Sequence, residues 1–242
     1  MKTMVTICAI LCMAATAAQG AYILSEDWES GTDGWTDYGT GPFAALDNTQ
    51  NTTPGGSWSL KTADTATNYT NAKDFVIEGM TDTNWTAEWT FQHKSGTTRE
   101  YVQLQSYSGG GGSGTLQQLI SLGVYNASPA DTTKYNFRVA VGSVNWANTT
   151  IARVANTWHT MKVEQIDLGN GNATLNFYVD GNLGATANTT AVFPITRVRV
   201  GSGLGNNNNG AWYDDILITP EPAVAVLLGL GGVLFARRRR TA

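Results

Sequence analysis

Strict alternation of apolar and polar residues runs through the middle of this 242-residue chain, and it narrows the fold more than any other feature. Trp85, Ala87, Trp89 and Phe91 share one parity, while Thr86, Glu88, Thr90 and Gln92 share the other. Val102 and Leu104 alternate with Tyr101, Gln103 and Gln105, and Phe137, Val139 and Val141 alternate with Asn136, Arg138 and Ala140. Met161 and Val163, then Leu175, Phe177 and Val179, repeat the pattern, and 195–200 and 212–218 read as two final strands. A period of two means strands with one buried face, and such strands belong to antiparallel sheets. Turn signals separate them at 51–56, 109–114, 170–172, 180–182 and 201–210. Gly109–Gly114 and Asn206–Asn209 read as loops. No stretch of ten or more residues has helical periodicity, and the 33 Thr, 27 Gly and 19 Asn are poor helix formers. Residues 21–219 carry no linker, charge run or repeat, so the expectation is one all-β antiparallel sandwich.

The two ends do not fit that domain. Residues 1–20 read as a signal peptide: Lys2, an apolar stretch from Met4 to Ala18, and small residues suited to signal peptidase. Both cysteines, Cys8 and Cys12, lie in this segment, so the mature domain has no disulfide or thiol chemistry. Residues 220–242 comprise Pro220-Glu221-Pro222, fourteen apolar or Gly residues from Ala223 to Ala236, and Arg237, Arg238, Arg239 and Arg240. The prolines end the preceding strand. Four arginines hold a short apolar helix at the cytoplasmic side of a bilayer, although the segment is shorter than the roughly 20 residues of a permanent span.

This C-terminal segment resembles the PEP-CTERM sorting signal of Gram-negative bacteria. The resemblance implies an exosortase as processing partner, transient anchoring in the inner membrane, cleavage near Pro220–Pro222 and a final place in the cell envelope or outside the cell. The middle is similar to laminin-G-like and concanavalin A-like jelly rolls. That similarity rests on Thr157-Trp158-His159, on Tyr178-Val179-Asp180-Gly181, on the opening Glu26-Asp27-Trp28-Glu29-Ser30-Gly31 with Trp35, and on the closing Tyr213-Asp214-Asp215-Ile216. In such modules the first and last strands pair. The resemblance therefore implies that Glu29 comes near Asp214 or Asp215, a set of oxygen ligands suited to a structural Ca²⁺.

If the strands are neighbours, the polar parity forms a face with Glu88, Gln92, Tyr101, Gln103, Gln105, Tyr107 and Arg138, a candidate surface for sugar. The bland alternative is a solvated sheet face. No Glu-x-Asp-x-x-Glu pair supports glycoside hydrolysis. The stretch His93–Tyr107 contains the Gln, His, Arg and Tyr types that jelly-roll polysaccharide lyases use, without matching a lyase motif closely. Two histidines and no mature cysteine exclude a His/Cys metal centre. Several Asn-x-Ser/Thr sequons, such as Asn84 and Asn148, read as composition.

Charge completes the reading. The whole chain is −4, but residues 21–219 hold ten basic and eighteen acidic residues, a net of −8. Nucleic acid is excluded as a partner, and the acidity points towards neutral glycans. The resulting expectation is an exported, non-enzymatic module that binds carbohydrate or adheres within a polysaccharide matrix. The alternatives are a polysaccharide lyase or glycoside hydrolase on the same jelly roll, and a structural surface protein without ligand.

Overall fold

A computed structural model describes residues 23–96, 99–109, 113–140 and 144–221, leaving aside the side chains of 65–70, 144 and 202–209. The signal peptide and the segment from Pro222 onward, including Arg237–Arg240, lie outside the described residues.

The chain forms fifteen strands: β1 Leu24–Glu26, β2 Trp35–Gly39, β3 Ala45–Asp47, β4 Ser59–Lys61, β5 Asp64–Val76, β6 Trp85–His93, β7 Glu100–Tyr107, β8 Leu116–Val124, β9 Lys134–Ala140, β10 Val144–Ala152, β11 His159–Gly169, β12 Asn172–Val179, β13 Asn182–Thr189, β14 Arg197–Asn209 and β15 Ala211–Pro220. No helix occurs among the described residues. One sheet runs β13-β12-β11-β6-β15-β4-β3, with β1 also on β15, and the other runs β10-β9-β8-β7-β14-β5-β2. Every pairing is antiparallel, so the molecule is a two-sheet jelly-roll sandwich.

The apolar parities meet between the sheets. Trp85, Trp89, Phe91, Leu122, Tyr135, Met161, Phe177 and Tyr213 are fully buried in one core that draws on both layers. Burying each such aromatic or aliphatic side chain contributes about 1.5–3 kcal/mol. The hairpin signals behave as their chemistry demands. Asn170-Gly171 and Asp180-Gly181 take positive φ at both turn positions, 57° and 73°, then 51° and 74°, the backbone that a two-residue hairpin needs. First and last strands pair as the resemblance implies, Leu24 opposite Ile218 and Glu26 opposite Ile216.

One expectation fails at this level. Asn206–Asn209 is strand rather than loop, because β14 continues along β5 as far as Asn209 opposite Asp64. The register slips between Ser202 and Asn206 and again before Asn208, so bulges hide the period of two from sequence. The fully buried indoles of the core are Trp28, Trp85 and Trp89, while Trp158 is half-buried.

Candidate functional site

The sequence grouped Glu88 and Gln92 with Tyr101, Gln103, Gln105, Tyr107 and Arg138 on the assumption that their strands are neighbours. They are not. β6 lies between β11 and β15, while β7 lies between β8 and β14 in the other sheet. Glu88 is opposite Lys162 and Gln92 opposite Trp212, on the far side of the molecule. His93 points between the sheets, 5.7 Å from the Phe91 ring and 5.9 Å from Tyr135. It therefore does not join the polar residues of β7, and burial lowers its imidazole to about 4. His159 is held by Asp180 at 2.7 Å and by the Val154 carbonyl at 3.1 Å.

What remains is a coherent face on the outside of the second sheet. Cross-strand register puts Thr36, Asp74, Arg199, Gln103, Ser121 and Arg138 in one row across β2, β5, β14, β7, β8 and β9. A neighbouring row sets Arg197 opposite Gln105 and Gln105 opposite Leu119. Residues directly opposite in an antiparallel pair stand about 4.5–5.5 Å apart at Cβ, so these groups form one continuous floor. The sequence missed Arg197, Arg199, Asp74, Ser121 and Trp146. The repeat Arg197-Val198-Arg199-Val200 held the signal for the two arginines, since it places both opposite to the core-facing valines.

Hydrogen bonds order this floor. Gln105 donates to Gln103 at 2.7 Å, and the Tyr107 hydroxyl donates to Gln105 at 3.3 Å. The Arg197 guanidinium lies 4.9 Å from the Tyr107 ring centre. Arg199 binds Asp74 through two bonds, 2.6 and 2.8 Å, with its guanidinium 3.1 Å from the centre of the Tyr38 ring. Burial disfavours the Arg199 charge, but the Asp74 bonds outweigh it and raise its pKa. Asp74 also lies 3.6 Å from Arg197. Among the described residues it is the one carboxylate on this face of β5, β7, β8, β9 and β14, and it is already engaged by arginine. Three of the domain's ten basic residues thus share one face of a domain with net charge −8.

A wall of aromatics closes the β10 side. Tyr125 stacks on Trp146 at 4.2 Å and 8°, and Tyr101 meets Trp146 at 5.0 Å. Tyr101 reaches across β8 to do this because Gly123 lies opposite it. A Cβ on Gly123 would sit 2.6 Å from the Tyr101 Cα and 2.7 Å from its Cβ. Burial pushes the Tyr101 phenol well above its ordinary range, so it is a poor base. Tyr107 is only half-buried.

The carboxylates expected near one another at the strand ends bracket a single loop. Glu29 accepts from the backbone N–H groups of Ser57 and Trp58, at 2.7 and 2.8 Å, and from Asn51 at 3.2 Å. These bonds, the Trp58 one foremost, lower its pKa. Asp214 accepts from the Thr52 N–H and hydroxyl, at 2.8 and 2.9 Å, and Asp215 from the Thr53 hydroxyl at 2.8 Å. Of the sorting motif, Pro220 ends β15 opposite Trp85, and the Glu221 N–H donates to the Asn84 carbonyl at 3.0 Å.

No family model and no curated protein matches the chain. Solved structures do match. The chain is similar to an endo-β-1,4-glucuronan lyase from the fungus Trichoderma reesei, with TM-score 0.58, 13% identity and coverage of 82% of this chain and 95% of that one. It is similar to the cellulose-induced protein Cip1, with TM-score 0.54, 16% identity and coverage of 81% and 97%. A PL-14 alginate lyase from Aplysia kurodai gives TM-score 0.53, 10% identity and coverage of 83% and 100%. At such identities the likeness establishes the jelly-roll fold. The expectation of a non-catalytic binding or adhesive module is corrected by these neighbours, among which lyases recur. They back the alternative, a lyase on the same fold. The net acidity of the domain gave no sign that this face carries Arg138, Arg197 and Arg199.

Proposed function

We propose that this protein is a polysaccharide lyase that cleaves a uronic-acid polymer on the outer face of the second sheet. The observation that carries this reading is the floor itself. Arg197, Gln103, Gln105 and Tyr107 lie together, with Arg138 further along the same sheet, and among the described residues the one carboxylate of this face, Asp74, is engaged by arginine. Glycoside hydrolysis needs two carboxylates flanking the bond, and the single one here is tied to Arg199. Ester hydrolysis needs a base beside a nucleophile, and the Ser121 hydroxyl has no hydrogen-bond partner. Elimination needs neither. It needs cationic or amide groups on a uronate carboxylate, which make the adjacent C5 proton acidic, and one group that moves that proton.

In this reading Arg197 and Gln103 hold the carboxylate. Tyr107, held beside Gln105 and the Arg197 charge, acts as a phenolate and takes the C5 proton. The C4–O bond then breaks, a C4=C5 double bond forms, and the departing oxygen receives a proton from the Tyr107 hydroxyl. Fold likeness to the glucuronan and alginate lyases supports the same class. The export expected from the chain ends brings the site to extracellular polymer.

The test is near-ultraviolet absorbance of unsaturated uronate products from polyglucuronate, polymannuronate and polygalacturonate. Release from at least one is expected, with Tyr107→Phe lowering kcat by about 100- to 10,000-fold at similar KM. No unsaturated product from any of the three refutes the proposal.

A further inference from the structure

Four polar atoms on the β7–β10 part of the floor are buried without a hydrogen-bond partner: Tyr101 Oη, Ser121 Oγ, Arg138 Nε and Trp146 Nε1. They are contiguous. Ser121 stands opposite Arg138, Tyr101 lies beside Trp146, and Ser121 and Gly123 share one face of β8. Tyr101, Ser121 and Trp146 are 0%, 1% and 4% exposed, while Arg138 is half-buried and gives the patch its opening to solvent. A buried polar group left unpaired is destabilising, and four together in one patch point to an absent partner.

The atoms also specify that partner. The indole N–H and the guanidinium Nε–H can only donate, and the two hydroxyls can donate as well. The set therefore takes a group with several acceptors and negative charge. Neither ring is a stacking platform for sugar on its inner side, since Trp146 is covered by Tyr125 and by Tyr101. The patch grips oxygen atoms rather than a sugar face.

We propose that Arg138, Ser121, Tyr101 and Trp146 form a second carboxylate subsite, which binds another uronate unit of the same polymer chain. This rests on the lyase reading for the identity of the polymer. Arg138 on β9 and Arg197 on β14 are three strand spacings apart, about 14 Å. That is too far for one sugar ring to touch both, so the bound substrate is an oligomer running across the strands.

Calorimetric titration of the full chain carrying Tyr107→Phe separates the subsite from catalysis, because it reads binding without turnover. The probes are tetramers of glucuronate, mannuronate and galacturonate, the carboxyl-reduced form of each, and a sulfated neutral tetramer. At least one uronate tetramer should bind, at least 10-fold more tightly than its carboxyl-reduced form and than the sulfated probe. Arg138→Gln should weaken that binding about 10-fold, and Ser121→Ala about 5-fold. Ser121→Ala should leave the melting temperature unchanged or raised, because it deletes an unpaired buried hydroxyl, whereas a structural role would lower it. Failure of every uronate tetramer to bind would mean that ordered water alone fills the patch, and would overturn the proposal. So would equal binding of the reduced or sulfated probe. Loss of elimination activity with carboxylate binding intact would refute the lyase reading alone.

Discussion

At the scale of single residues, two buried titratable groups inside the sandwich set how stability depends on pH. Glu100 faces the core, with one oxygen accepting from Tyr213 at 3.0 Å and the other unpaired. Burial pushes its carboxyl from 4.5 up to about 8. Folding therefore takes up a proton between those values, and stability falls as pH rises through that window. His93 works in the opposite sense. Its imidazole falls from 6.5 to about 4, chiefly through burial, so stability falls as pH drops from 6.5 to 4. Glu100→Gln is expected to flatten the alkaline limb and to raise the melting temperature at pH 8 by about 4–8 °C, on the basis of ~2 kcal/mol. Thermal melts between pH 4 and pH 9 check this, and an unaltered slope above pH 6.5 would contradict it.

At the scale of elements, β8 shows how one residue type admits an interaction that spans four strands. Gly123 lets Tyr101 of β7 lie across β8 and β9 to meet Trp146 of β10. Gly123→Ala drives a methyl into Tyr101 and should cost about 1–3 kcal/mol. The change should appear both as a lower unfolding midpoint and as altered Trp146 fluorescence; a normal midpoint would mean that the strands give way freely. The pairing of β5 with β14 is clamped by the Asp74–Arg199 bonds, both partners being 6% exposed. Asp74→Ala strands two arginines and should destabilise by about 3–5 kcal/mol, measured by urea unfolding. Arginine positions in β14 were legible from the alternation in 195–200. The rest of β5 and β14 was not, because bulges break the period where Asn206–Asn209 pair.

At the scale of the whole molecule, one apolar cluster draws on both sheets, so the layers have no separate cores. Calorimetry of residues 21–219 should give one transition, with matching calorimetric and van't Hoff enthalpies; two resolved transitions would contradict a shared core. Charge is distributed unevenly over this unit. A net of −8 describes the domain, yet the floor of the second sheet gathers Arg138, Arg197 and Arg199. Net charge is a sum and carries no position, which is why the acidic total gave no sign of this basic row.

By itself the sequence determined that the domain is built of antiparallel strands with one buried face, that tight turns lie at 170–171 and 180–181, and that residues 21–219 hold no cysteine. Those properties are local: a period of two or an Asp-Gly pair acts within a few residues. Only the tertiary structure decided which strands are neighbours. β6 and β7 follow one another in sequence yet join different sheets, which separates Glu88, Gln92 and His93 from Gln103. β14 inserts between β5 and β7 and brings Arg197 and Arg199 to residues about a hundred positions away. Strand order depends on burying all the apolar faces in one core at once, a condition on the whole chain that no single segment records.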